Sequence, residues 1–136
     1  MDERATIERA VRAWAEGDDK AFWRLLAPDV EYSVIGTTPV SGSYAGRRAF
    51  FDGALLPMGA LLAEGTRPLE YDIVAEGSRV VLMWRGEGVM MNGAPYHQSY
   101  CWVMEVREGQ VRRLKAYLDT ALVSTLFAQG ERPPEP

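Results

Sequence analysis

The residues in this chain best suited to chemistry are Arg85 and Glu87, Tyr32, and the polar run Tyr96-His97-Gln98-Ser99-Tyr100-Cys101-Trp102. Arg85 and Glu87 stand two apart on one stretch of strand. Their Cα atoms are therefore roughly 7 Å apart and their side chains share a face. A guanidinium beside a carboxylate lowers the carboxylate pKa, while burial raises it. If the arginine dominates, Glu87 stays ionised and serves as a weak base. Arg85 is then its electrostatic partner, or a stabiliser of a developing oxyanion. The same pair also fits a structural or subunit-facing ion pair, because paired charges commonly have structural reasons. A nucleophile–histidine constellation can form only around His97, the single histidine. One histidine and one cysteine, Cys101, without ligand spacing give no metal site. The glycines form no phosphate-binding loop, so no cofactor is expected.

The elements that must position these groups follow from periodicity. Ile7, Ala10, Val11 and Trp14 fall at i, i+3, i+4, i+7 and predict a helix over residues 3–16, with Asp2 as N-cap and Gly17 as stop. Asp18 and Asp19 open a second, short helix with Phe22, Leu25 and Leu26 inward, ending before Pro28. Residues 29–36 alternate as a strand with Val30, Tyr32 and Val34 on one side. A turn-rich loop over 36–43 leads to a third helix over about 46–63, interrupted by Gly53, Pro57 and Gly59. Four strands follow, over 67–75, 79–91, 95–107 and 110–119, with turns at Gly77-Ser78, Asn92-Gly93 and Glu108-Gly109. Residues 120–127 close the domain as a short helix, and 129–136 form a Pro-rich tail expected to be disordered. One domain over 1–128, helices first and an antiparallel meander afterwards, is α+β.

Strand parity sorts the last two strands. Leu114, Ala116 and Leu118 share one face; Arg113, Lys115, Tyr117 and Asp119 share the other. Asp119 either points away from the core or caps the helix after it. Gln98, Tyr100, Trp102 and Met104 share a face, with His97, Ser99, Cys101 and Val103 opposite. A hairpin with one apolar face and a few polar groups on it suits the wall of a small-molecule pocket.

Composition narrows the class. At 136 residues, with 47% hydrophobic and 25% charged residues, the chain has room for a single core. A net charge of −4 gives no basic field for nucleic acid or anionic lipid. No apolar run nears the ~20 residues of a membrane helix. A lone cysteine and a charged start, Met1-Asp2-Glu3-Arg4, fit a cytoplasmic protein. The preference for Arg over Lys fits a GC-rich bacterial source.

Three segments carry a family resemblance: Val34-Ile35-Gly36 with Pro39, Gly42, Tyr44 and Gly46; Trp84 with Gly86; and Tyr96, Tyr100-Cys101-Trp102-Val103, Gly109 and Tyr117-Leu118-Asp119-Thr120. Over residues 5–127 the chain resembles the SnoaL-like branch of the nuclear transport factor 2-like superfamily. The resemblance implies a cone: a bent, mostly antiparallel sheet wrapped around three N-terminal helices, enclosing an apolar cavity, in a homodimer paired through the convex face. It implies a small, largely apolar organic ligand, with cofactor-free isomerase, cyclase or hydratase/dehydratase chemistry. A non-catalytic binding or interaction module and a limonene-type epoxide hydrolase are the alternatives. Arg85-Gly86-Glu87 matches the Arg-x-acid of the epoxide hydrolases and Tyr32 their first-strand Tyr. Their Asn position reads Val34, and their water-activating Asp reads Ala116. The base of the ketosteroid isomerases maps near Ser33. The match turns Arg85, Glu87 and Val89 inward, together with Gln98, Tyr100 and Trp102. The implied catalytic set is Glu87, Arg85 and Tyr32. The implied binding set is Gln98, Tyr100, Trp102, Ala116, Leu118, Val34 and Val89.

Overall fold

The computed structural model describes residues 2–129. Helix α1 (Glu3–Ala15) starts where the Asp2 side chain accepts the Ala5 N–H at 2.7 Å. It stops at Gly17, whose φ of +120° is the left-handed conformation that favours glycine. Its apolar stripe, Ile7, Ala10, Val11 and Trp14, is fully packed inside. The expected second helix is reduced to a 3-10 turn, Trp23–Leu25, because strand β1 (Leu26–Val34) begins before Pro28. Proline is tolerated there: the pairing of β1 shifts register between Leu26 and Glu31, so Pro28 owes no hydrogen bond.

Two short strands fall where the sequence suggested loop and helix. β2 (Gly42–Ala45) pairs with β1 inside the turn-rich segment, and β3 (Leu62–Glu64) takes the end of the expected third helix. That helix is composite. α2 (Arg47–Phe50) passes through a π-helical turn, Phe51–Leu55, into α3 (Leu56–Ala60). In the π turn the Leu56 N–H donates to the Phe51 carbonyl, five residues back. Gly53 sits where a Cβ would lie 2.7 Å from the Tyr44 ring, so the wide turn packs flush on β2. β4 (Pro68–Glu76), β5 (Arg79–Met90), β6 (Pro95–Arg107) and β7 (Gln110–Leu118) form the meander, and α4 (Thr120–Ala128) follows. The expected tail lies outside the described residues except for Gln129. Its side chain accepts the Asn92 N–H at 2.9 Å and donates to the Leu61 carbonyl at 2.8 Å.

One bent sheet runs β2-β1-β7-β6-β5-β3, with β4 also on β5. Only β1 and β7 are parallel. The concave face holds the core: Tyr32 and Val34 from β1, Leu114 and Ala116 from β7, Trp102 and Met104 from β6, Leu82 and Trp84 from β5. Helix α1 enters this concavity through Trp14, whose ring packs edge-on against Trp84 at 4.9 Å and stacks near Trp102 at 6.1 Å. Among the described residues no helix is long and apolar enough to cross a membrane.

The β5–β6 hairpin decides what the cone contains. Met90 N–H donates to the Ala94 carbonyl at 2.8 Å, and Gly93 N–H to the Met90 carbonyl at 2.9 Å. The loop is therefore three residues, Met91-Asn92-Gly93, with Gly93 left-handed at φ +89°. A two-residue Asn-Gly turn would pair Met91 with Ala94 and set Arg85 opposite Tyr100. The observed register sets Trp84 opposite Tyr100 and Arg85 opposite Ser99. One residue of slip exchanges the faces of a strand, so β5 turns Val80, Leu82, Trp84, Gly86 and Gly88 inward and Arg85, Glu87 and Val89 outward.

The inward glycines admit the chain between β3 and β4. A Cβ on Gly88 would lie 2.6 Å from the Glu64 carbonyl oxygen, and one on Gly86 2.8 Å from that of Arg67. Both neighbours are backbone, so a Cβ at either position would push the chain off β5. Gly88→Ala is expected to destabilise by about 1–3 kcal/mol, as overpacking does. Gly65→Ala, with open space around it, should change stability by under about 0.5 kcal/mol. Urea unfolding of the two variants measures the difference.

Candidate functional site

The concavity is not filled. A cavity of about 640 Å³ remains between sheet and helices. Its sheet wall is Tyr32, Val34, Trp84, Tyr100, Trp102, Ala116 and Leu118; Trp14, Trp23, Phe50, Leu55 and Met58 close the helical side. Asp19, Glu64, Thr66, Arg67, Leu69 and Glu87 meet it at the rim. The aromatic rings brace one another: Tyr32 stacks on Phe50 at 3.6 Å, and Trp84 on Tyr100 at 3.9 Å.

Polar atoms inside are few and neutral. The Tyr32 hydroxyl makes no hydrogen bond among the described residues, although the residue is only 3% exposed. Burial, and secondarily the nearby Tyr100, push its pKa well up. Tyr100 shares a 3.2 Å hydrogen bond with the Thr66 hydroxyl, and burial raises its pKa strongly as well. Both phenols therefore stay protonated at neutral pH and can donate. Among the described residues, Trp84 Nε1 is the one buried side-chain polar atom without a hydrogen-bond partner. Ala116 sits where the sequence reading put it, on the cavity wall, and no carboxylate replaces it. Among the described residues, no group of three or more His, Cys, Asp or Glu side chains is gathered as metal ligands.

Three expected members of the site lie elsewhere. Arg85 and Glu87 project from the convex face, each side chain 39% exposed, with Arg85 Nη1 3.7 Å from Glu87 Oε1. Arg85 also reaches Glu70 at 3.3 Å, and His97 Nε2 stands 3.9 Å from Glu87. Glu87 meets the cavity only at its rim. The reversal follows from the three-residue loop, which also puts Val89 on the outer side. Gln98 does turn inward and is fully buried, but it is spent on structure. Its Nε2 donates to the Asp119 carbonyl at 3.0 Å and to the Tyr96 hydroxyl at 3.3 Å. Its Oε1 accepts the N–H groups of Asp119 at 2.8 Å and Ser99 at 3.0 Å. This clamp fixes the bend at which the Asp119 side chain caps α4 by accepting the Leu122 N–H at 3.3 Å. His97, Ser99, Cys101 and Tyr117 lie on the convex face, as parity indicated.

The sequence reading missed the rim. Asp19 and Arg67, 48 residues apart, form a two-bond ion pair at 2.8 and 3.2 Å. The usable signal was Gly86-x-Gly88: two glycines on one face of a strand mark a close chain crossing.

This geometry coincides with a family. A SnoaL-like domain model matches residues 7–114. The chain belongs to the SnoaL-like family. Solved structures of the same architecture include an NTF2-like protein from Burkholderia xenovorans LB400, 24% identical over 91% of this chain and 95% of that one, TM-score 0.66. A candidate isomerase from Bacillus subtilis is 19% identical over 94% and 96%, TM-score 0.76. A candidate polyketide cyclase from Pseudomonas putida KT2440 is 18% identical over 93% and 98%, TM-score 0.70. At these identities the likeness establishes the NTF2-like fold alone. No curated protein matches the chain.

The exposed Glu87 and the buried Gln98 make opposite predictions. Glu87→Gln should change stability by less than about 1 kcal/mol, because its ion pairs are exposed to solvent. Gln98→Leu should cost about 2–4 kcal/mol, since it removes all four hydrogen bonds of a buried amide and leaves the part-buried N–H and C=O of Asp119 unpaired. Chemical denaturation of both variants reads the contrast; equal losses would contradict the placement.

Proposed function

We propose that this SnoaL-like domain binds a small, uncharged, largely apolar molecule that carries a hydrogen-bond acceptor. The observation that carries the reading is the unpartnered Tyr32 hydroxyl in an aromatic cavity with no charged group in its interior. A hydroxyl that faces the cavity without a protein partner is free to donate to an acceptor on a ligand. An anion would have to shed its water with no cation inside to compensate. Tyr32 and Tyr100 supply the polar contacts in this reading. Val34, Trp102, Ala116 and Leu118 supply shape.

Turnover is the second reading. The names of the Bacillus subtilis and Pseudomonas putida neighbours favour it, and two neutral phenols can polarise a carbonyl as it gains negative charge. Proton abstraction needs a base as well. Among the described residues the carboxylates that meet the cavity, Asp19, Glu64 and Glu87, stand at its rim. Binding is therefore the better supported function. The expected homodimer belongs to the same proposal, supported by Met83, Cys101 and Val103, half-buried on the convex face. Light scattering that finds only monomer at micromolar concentration would count against it.

All four tryptophans line the cavity, so their fluorescence reports occupancy. 2-Acetylnaphthalene is expected to quench it at least tenfold more tightly than 2-naphthoate. Tyr32→Phe should weaken the ketone by about three- to tenfold, and Ala116→Phe should weaken both by filling the space. Equal binding of ketone and carboxylate, or indifference to both substitutions, would sink the reading.

A further inference from the structure

The chain between β3 and β4 has the properties of a moving part. β3 ends its pairing at Glu64 opposite Val89, and β4 resumes at Pro68 opposite Gly86. Residues 65–67 have no strand partner. Pro68 has no N–H, so it cannot donate a ladder hydrogen bond at the point where the segment would zip onto β5. The segment crosses the inner face of β5 in close contact, over Gly86 and Gly88. A Cβ on Gly65 would meet open space, although its backbone lies against Gly88, and glycine gives the chain a wide range of turns at that point.

Side chains fasten this strap at two points. On the cavity side, Thr66 shares its hydrogen bond with the Tyr100 hydroxyl at 3.2 Å. On the solvent side, Arg67 Nε and Nη2 donate to the two carboxylate oxygens of Asp19 at 2.8 and 3.2 Å. Asp19 belongs to the turn after α1, on the helical side of the cavity. The ion pair thus spans the mouth from one wall to the other. Its side chains are 52% and 63% exposed. A pair so wet is weak, which suits a contact that must break and remake.

We propose that residues 64–67 are the gate of the cavity and that Arg67–Asp19 is its latch. The inference rests on the reading that the cavity takes a small apolar molecule. Ligand enters when the ion pair parts and the strap swings outward about Gly65; the pair re-forms behind it. The latch does not touch the ligand, so it governs rates of entry and exit and leaves the equilibrium alone.

Stopped-flow binding of Nile red, an uncharged fluorescent dye, tests this on the full chain. Asp19→Asn and Arg67→Gln should each raise the association and dissociation rate constants together, by about two- to fivefold, the factor that a weak surface pair is worth. The dissociation constant should stay within twofold. The charge-swapped double variant Asp19→Arg/Arg67→Asp should return both rates toward the native values, which a general loosening of the mouth would not do. Binding by the neutralised variants and not by the native chain would overturn the gate, since the pair would then set the equilibrium and not the rates alone. Unchanged rates in every variant, with binding intact, overturn the gate and leave the binding reading standing. A change in affinity carried by dissociation alone overturns it too, since Arg67 would then be a ligand contact. Failure of Nile red to bind any variant overturns the apolar-cavity reading, and the gate with it.

Discussion

Trp14 packed between Trp84 and Trp102 is the contact on which this molecule turns. It seats α1 in the concave sheet and holds the first element of the chain against β5 and β6. A curved sheet cannot leave its apolar face open to water, and one helix with a composite partner cannot fill it. What the helices leave uncovered is the cavity. The large flat rings share edges and faces at centroid separations that favour aromatic pairs. They are stiff, with two side-chain torsions each, so the cavity keeps its walls without a ligand to prop them apart.

The long elements were legible because their patterns are local. α1 shows its helical stripe and both caps; β6 alternates throughout and β7 from Arg113 onward, so their faces follow from parity, and Ala116 and Leu118 fall on the cavity side as read. The fold class follows from the order of those elements. β5 was not legible in the same way. Its inner face runs Leu82, Trp84, Gly86, Gly88, and glycine carries no hydrophobic signal. The outer face, with Arg85 and Glu87, was then assigned inward by a motif match. The loop length depends on whether Met91 belongs to the strand or the turn, which only hydrogen bonding settles. β2 and β3 are three or four residues long and exist because a neighbouring edge is available, a tertiary cause with no local trace.

Charge is partitioned with little ambiguity. Among the described residues the ion pairs lie on the convex face, on helix surfaces or at the rim, and the interior keeps hydroxyls and indoles. Ion pairs in the cavity would have cost several kcal/mol per ion in lost hydration. Phenols cost far less and remain neutral over the physiological range. The interior can therefore discriminate ligands by hydrogen bonding and shape while the surface carries the charge that keeps the molecule dispersed.

The π-helical turn at Phe51–Leu55 has a consequence for how such a cavity diversifies. A π turn is an α turn with one residue too many. Deleting a residue there would restore an unbroken α-helix. It would also rotate everything after it by about 100°, the angle that one residue spans in a helix of 3.6 residues per turn. Leu55 and Met58, which close the helical side, would be replaced by their neighbours without any change in the sheet. A single-codon insertion or deletion at this point exchanges part of the lining in one step, a larger move than any point substitution allows. The Gly53–Tyr44 contact, which depends on the wide turn, is the ratchet that resists its loss.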